Sequence, residues 1–115
     1  MSDWVPFTVT GSGAAPGCAS GPVHLLSEAS LQSGVARGAI LVTRILHPHL
    51  APLLARVAGI IVEEASLLQH ATTLAREFGV PAIVGVANAV MLLREGDVIE
   101  LDGDTGVIHV RHPGV

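Results

Sequence analysis

Three short apolar runs, Ala39-Ile40-Leu41-Val42-Thr43, Ala58-Gly59-Ile60-Ile61-Val62 and Ala82-Ile83-Val84, constrain this chain most. None alternates polar with apolar residues, so each fits a strand covered on both faces, as in a parallel sheet. The segments between them have helical spacing. Leu50, Leu53, Leu54 and Val57 recur on one helical face, after a lead-in at His47-Pro48-His49. Leu67, Ala71, Leu74, Ala75 and Phe78 follow at i, i+4, i+7, i+8 and i+11, which predicts an amphipathic helix over 67–78. Gly79 then offers a C′ stop and Pro81 bars continuation. A shorter helix is expected over Ala87–Arg94, closed by Gly96, and Val98–Leu101 and Val107–Val110 read as strands. Asp102-Gly103-Asp104-Thr105-Gly106 joins them as a hairpin loop. Strands alternating with helices, then a hairpin, predict a compact mixed α/β domain.

Gly11 to Pro22 is rich in Gly, Pro, Ala and Ser, which favours turns and extended backbone. A loop-rich arm is therefore expected at about residues 1–22, followed by a short strand over Val23–Leu26. The 115 residues suit a single domain, 1–115. A chain of this size buries about two-thirds of its unfolded surface and needs neither metal nor disulfide to fold. The lone Cys18 cannot form an internal bridge. Six basic against ten acidic residues give a formal charge of −4, without the basic patch of a nucleic-acid binder. With no Tyr, one Trp and two Phe, platforms for stacking bases are scarce. No membrane partner is expected either. The uncharged stretch Trp4–Ser27 is broken by four Gly and three Pro. The apolar run 79–93 is interrupted by Gly79, Pro81 and Gly85 and falls short of the roughly 18 residues of a span. Met1 to Asp3 contain no Lys or Arg and no apolar h-region follows, so the expected compartment is cytoplasmic.

Most candidate chemistry fails on pattern. In Gly11-Ser12-Gly13-Ala14-Ala15-Pro16-Gly17 the third glycine of a dinucleotide loop is displaced by one position, and no Gly-rich segment ends in Lys-Ser or Lys-Thr. The chain is not expected to hold ATP alone. His47 and His49 lack further ligands in the local run, so a loop leading into a helix is expected there and no metal site is assigned. His109 and His112 read as solvated, and Cys18 as a small buried or half-exposed thiol. His70 differs. It stands near the start of a helix that follows a buried strand, where backbone N–H groups and the helix dipole favour an anion. Its unperturbed pKa of about 6.5 leaves a ring nitrogen lone pair free to accept a phosphoryl group. Steps of 100° per residue place His70, Thr73 and Glu77 on one stripe, with Arg76 on the opposite side. Thr73 can reach a bound phosphoryl group, whereas Arg76 suits a partner surface or a structural ion pair, but helix position alone favours reading His70 as a partly exposed helix residue without function.

The segment His70-Ala71-Thr72-Thr73-Leu74-Ala75-Arg76-Glu77-Phe78-Gly79-Val80-Pro81-Ala82-Ile83-Val84-Gly85 resembles the phosphohistidine segment of phosphoenolpyruvate-utilising enzymes. Ala15-Pro16-Gly17-Cys18-Ala19-Ser20-Gly21 resembles that domain's Gly/Pro opening motif, Gly38–Thr43 its first core strand, and Gly96–Val107 its closing hairpin. The resemblance covers nearly the whole chain in the family's order. It implies a compact swivelling β/β/α phosphohistidine domain that uses His70 as a covalent relay; Thr72, Thr73, Gln69 and Ser66 are the candidates for the phosphate neighbourhood, and Arg76 and Glu77 are expected to face a partner or to be structural. It also implies two partners in cis or in trans: an ATP-grasp-type nucleotide-binding domain, and a domain binding phosphoenolpyruvate, pyruvate or another acceptor. The domain itself is expected to bind no cofactor, Mg2+ being held on the partners.

One departure stands at the site. The family has Gly-Gly five and four residues before the histidine and Thr or Asn two before it, where this chain has Ala65-Ser66 and Leu68. Ser66-Leu67-Leu68-Gln69 reads instead as a capping box, with Ser66 at N-cap and Gln69 at N3. His70 is then the fourth helical residue, and Leu67 and Leu68 cover its approach. This leaves an alternative, a docking or regulatory module that keeps the fold without catalysis, which the mean hydropathy of +0.59 suits. A metal-binding protein using the six histidines is a third reading, without ligand spacing to support it.

Overall fold

The computed structural model describes residues 4–27, 34–46, 50–64 and 68–113, with side chains described throughout these ranges except at 4–6, 51, 68–72, 112 and 113. In chain order the elements are β1 (Trp4–Thr10), β2 (Ser12–Ala15), β3 (Cys18–Leu25), β4 (Ile40–Thr43), α1 (Ala51–Leu54), β5 (Gly59–Val62), α2 (Leu68–Phe78), β6 (Ala82–Val84), α3 (Ala89–Leu92), β7 (Val98–Asp102) and β8 (Val107–Pro113). The three apolar runs are the parallel strands β4, β5 and β6, in register Leu41 to Ile60 and Ile61 to Ile83. The sheet order is β1-β8-β7-β3-β4-β5-β6-β2. β3 belongs to both halves. Cys18–Pro22 pair antiparallel with β7, and Val23–Leu25 pair parallel with β4.

Side-chain alternation explains why those runs are apolar throughout. Leu41, Ile60, Val62, Ala82 and Val84 face one core with Leu50, Leu53, Leu54 and Val57 around α1 and Ala75 on α2. Ile40, Val42, Ile61 and Ile83 face a second core with Ile99, Leu101, Ile108 and Val110 of the antiparallel strands and Ala89 and Leu93 around α3. Helices, parallel strands and antiparallel strands thus form three layers, the β/β/α arrangement the resemblance implies. No helix among the described residues is long and apolar enough to cross a membrane.

The loop-rich arm expected at 1–22 is corrected: most of it is strand. β1 pairs with β8 over seven residues, from Trp4 opposite Pro113 to Thr10 opposite Val107, and β2 pairs with β6. Phe7 and Val9 turn toward the second core while Thr8 and Thr10 are exposed, a period-two pattern that the Gly/Pro content obscures. The glycines serve backbone packing. A Cβ on Gly103, in the β7–β8 loop, would run into the Ala15 carbonyl oxygen of β2, so the opening motif and the closing hairpin interlock through bare backbone. Gly103→Ala is expected to cost about 1–3 kcal/mol by forcing these segments apart, read as a lower urea midpoint at unchanged slope.

Two helices are shorter than their periodicity suggests. α1 is one turn with Pro52 near its start, although Leu50, Leu53, Leu54 and Val57 are all buried as expected. α3 spans Ala89–Leu92 rather than 87–94, because Asn88 adopts a left-handed conformation at φ 59°. α2 ends as the sequence dictates. Gly79, at φ +66°, donates to the Arg76 carbonyl at 3.1 Å and Val80 donates to that of Ala75 at 2.9 Å, the two bonds of a Schellman motif. Phe78, expected on the buried face, is 40% exposed. It is the last helical residue, where the chain turns toward β6.

Candidate functional site at the carboxyl edge of the parallel strands

β4, β5 and β6 end together at Thr43, Val62 and Val84, and the loops leaving them form one edge of the sheet. In open α/β sheets this is the edge where ligands bind. The ladder continues past the strands: Glu63 N–H donates to the Thr43 carbonyl at 3.0 Å, Glu64 N–H to that of Arg44 at 2.9 Å, and Val86 N–H to that of Val62 at 3.2 Å. Thr43 is buried, and its hydroxyl donates to the Ile45 carbonyl at 2.9 Å, turning the chain out of β4. The position of α2 follows, since the helix leaves β5 after this edge and its first turn contains His70.

His70 is the third residue of α2, which begins at Leu68. Its backbone N–H therefore lies in the turn whose donors have no intrahelical partner. Thr73 follows three residues on and is exposed, consistent with the shared stripe. Ala75 is fully buried against the parallel strands, which fixes the rotation of the helix at that point. Arg76 and Glu77 are both exposed, and neither makes an ion pair among the described residues. Arg76 borders a hollow of about 230 Å³ with Ala15, Pro16, Ala75, Gly79 and Val80, near the opposite end of α2 from His70. Ser66 and its N-cap lie outside the described residues, as do Ala65, Leu67, His47 and His49. Gln69 and Thr72 are placed on α2 by their backbone.

Two residues at this edge escaped the sequence reading. Glu63 accepts Val90 N–H at 3.2 Å through Oε2, supplying the cap that Asn88 does not make for α3. Its other oxygen lies 3.7 Å from Arg44 Nε. That separation is too long for a hydrogen bond, and the guanidinium is 68% exposed, so the pair adds little stability. A signal was available, because Arg44 and Glu63 each stand directly after an apolar strand. Glu63→Ala is expected to lower stability by about 1 kcal/mol, as for loss of an N-cap. Glu63→Gln, which keeps an acceptor oxygen, should lose less in the same urea titration.

Other candidates lie elsewhere. Cys18 is exposed rather than buried or half-exposed, and with Ser20, Glu100, Asp102 and His109 it lines a hollow of about 480 Å³ on the outer face of the antiparallel strands. His109 is exposed as expected and lies 3.4 Å from the Thr8 hydroxyl through Nδ1. Among the described residues no group of three His, Cys, Asp or Glu is arranged to hold a metal ion.

Residues 35–106 match the PEP-utilising enzyme mobile domain, a span that takes in β4 to the β7–β8 loop and every residue of α2. The chain belongs to this family. A probable phosphoenolpyruvate synthase of Methanothermobacter thermautotrophicus is 39% identical over 101 residues, covering 88% of this chain and 15% of that protein. The uncharacterized phosphotransferase YvkC of Bacillus subtilis is 37% identical over 102 residues, covering 89% of this chain and 12% of that protein. The mobile domain thus spans only a small share of the curated relatives it matches. Among solved structures, a solution structure of Enzyme I (nEIt) superposes with a TM-score of 0.61 at 25% identity, over 68% of this chain and 32% of that one.

Proposed function

We propose that this mobile domain is a phosphohistidine carrier in which His70 takes a phosphoryl group at one site and delivers it at another. The observation that supports this most directly is the placement of His70 in the first turn of α2 at the carboxyl edge of β4–β6, within the matched family span. In the forward step a ring nitrogen attacks phosphorus, the N–P bond forms as the P–O bond to the donor breaks, and the leaving oxygen keeps the electron pair. The other ring nitrogen gives up its proton. In the second step an acceptor oxygen displaces the imidazole, which regains a proton. Backbone N–H groups of the helix start face the added charge, and the Gln69 amide and the Thr72 and Thr73 hydroxyls are the polar groups nearest to His70 along α2.

ATP on a nucleotide-binding domain and phosphoenolpyruvate or another acceptor on a second domain are the proposed donor and acceptor, with Mg2+ on those partners. The small share of the relatives' length that this chain spans supports such partners. No observation favours the docking-only alternative. The test is to supply the intact protein with labelled ATP or phosphoenolpyruvate and map the label under alkaline conditions. An acid-labile phosphoryl group on the peptide carrying α2 is expected; no label from either donor overturns the carrier.

A further inference from the structure

Resting on the carrier reading, we propose that Arg44 is the cation that binds the phosphoryl group on His70. A phosphoryl group brings close to two negative charges at neutral pH, onto a chain that is already at −4 and an edge that already holds Glu63 and Glu64. The helix start supplies only partial positive charge. The chain has no lysine and six arginines, and the topology distributes them unevenly. Arg37 and Arg56 stand ahead of β4 and β5, at the opposite edge, where Gly38 N–H bonds the Arg56 carbonyl at 2.9 Å. Arg76 is in the last turn of α2. Arg111 lies on β8 opposite Val98. Arg94 leads into β7 beside β3, across β4 from β5, where its N–H bonds the Asp97 carboxylate at 2.8 Å.

Arg44 remains. Its carbonyl accepts Glu64 N–H, which places it beside the stretch of chain that runs from β5 into α2, four residues before Leu68. Its side chain is exposed, and among the described residues its ion pair is the single 3.7 Å approach to Glu63. Glu63 is meanwhile anchored by Val90 N–H, so it does not need the guanidinium to stay in place. A guanidinium so loosely engaged can turn from one carboxylate oxygen to a dianion, for which its planar fork is the better match. The loop after β6, Gly85 to Asn88, adds no ionisable side chain to this edge.

The test separates this role from the carrier itself. Phosphoramidate phosphorylates imidazole without an enzyme: a ring nitrogen bonds to phosphorus, the reagent's P–N bond breaks, and ammonia leaves as ammonium with the ring's proton. The full-length protein is treated with phosphoramidate, position 70 is confirmed by mass spectrometry, and the second ionisation of its phosphoryl group is followed by 31P NMR. A nearby cation favours the dianion, so Arg44→Gln should raise that midpoint by about one pH unit. Arg44→Lys, which keeps the charge, should fall closer to wild type, and Arg37→Gln should leave the midpoint unchanged. Equal midpoints in wild type and Arg44→Gln, or an equal rise in Arg37→Gln, overturn the assignment. Failure of phosphoramidate to label position 70 overturns it too. Label from phosphoramidate but none from ATP or phosphoenolpyruvate defeats the carrier reading alone, while the titration still decides Arg44.

Discussion

Replacing His70 by Ala is expected to abolish the acid-labile phosphoryl group and to reduce phosphoryl transfer through this domain by on the order of a thousandfold or more, the scale of losing a covalent nucleophile. The fold should survive the change. His70 lies in the first turn of an 11-residue helix that Ala75 and Leu74 pack against the parallel strands and that Gly79 terminates. A normal urea midpoint with no label therefore identifies the missing group as chemical rather than structural. His109→Ala is the matched control, because that histidine sits on the antiparallel strands beside Thr8, on a layer the parallel strands separate from α2. It should label as wild type does. Retention of the label in His70→Ala would move the chemistry to another histidine. Thr73→Ala should act in between: loss of one hydrogen bond to a charged group costs about 1.5–3 kcal/mol, a reduction of roughly ten- to a hundredfold.

The parts of this architecture that were legible in the sequence are those dictated by local physics. β4, β5 and β6 show as apolar runs because both their faces are buried, and the end of α2 shows because a left-handed residue after a helix calls for glycine. The strands of the N-terminal segment were obscured by composition. Glycine at position 13 answers a demand made ninety positions away, where a Cβ would run into the Gly103 carbonyl oxygen, and no local window contains that contact. The site divides in the same way. Helix position alone does not single out His70; it is the resemblance of residues 70–85 to the family's phosphohistidine segment that does. Arg44 and Glu63 show only as charges directly after apolar strands, and their meeting depends on β4 and β5 being parallel neighbours whose ends coincide, which is a property of the topology. Asn88 is a smaller instance. Its left-handed backbone shortens α3, and the helix is capped from a different loop by Glu63.

The same two-sided burial makes the central strand the costliest place to remove volume, and Ile61→Ala is the change in which that should be largest. Ile61 is fully buried at the centre of β5, between Val42 of β4 and Ile83 of β6. Its side chain enters the core that joins the parallel strands to Ile99, Leu101, Ile108 and Val110. Neither neighbour can collapse into the space, because each is held by its own ladder and by residues on the opposite face such as Leu41 and Val84. The expected loss is about 2–5 kcal/mol, against about 0.5–1.5 kcal/mol for Ile61→Val, which removes one methylene. Against a total of roughly 5–15 kcal/mol for a domain, the alanine variant would forfeit a large part of its stability. Urea unfolding with the slope held in common measures both. A loss below about 1 kcal/mol for Ile61→Ala would show that the two β-layers are not packed against each other at this point. The site depends on that contact: β5 delivers the chain to Glu63 and then to α2, so a sheet that shifts in its plane displaces the start of α2 without any residue of that helix being changed.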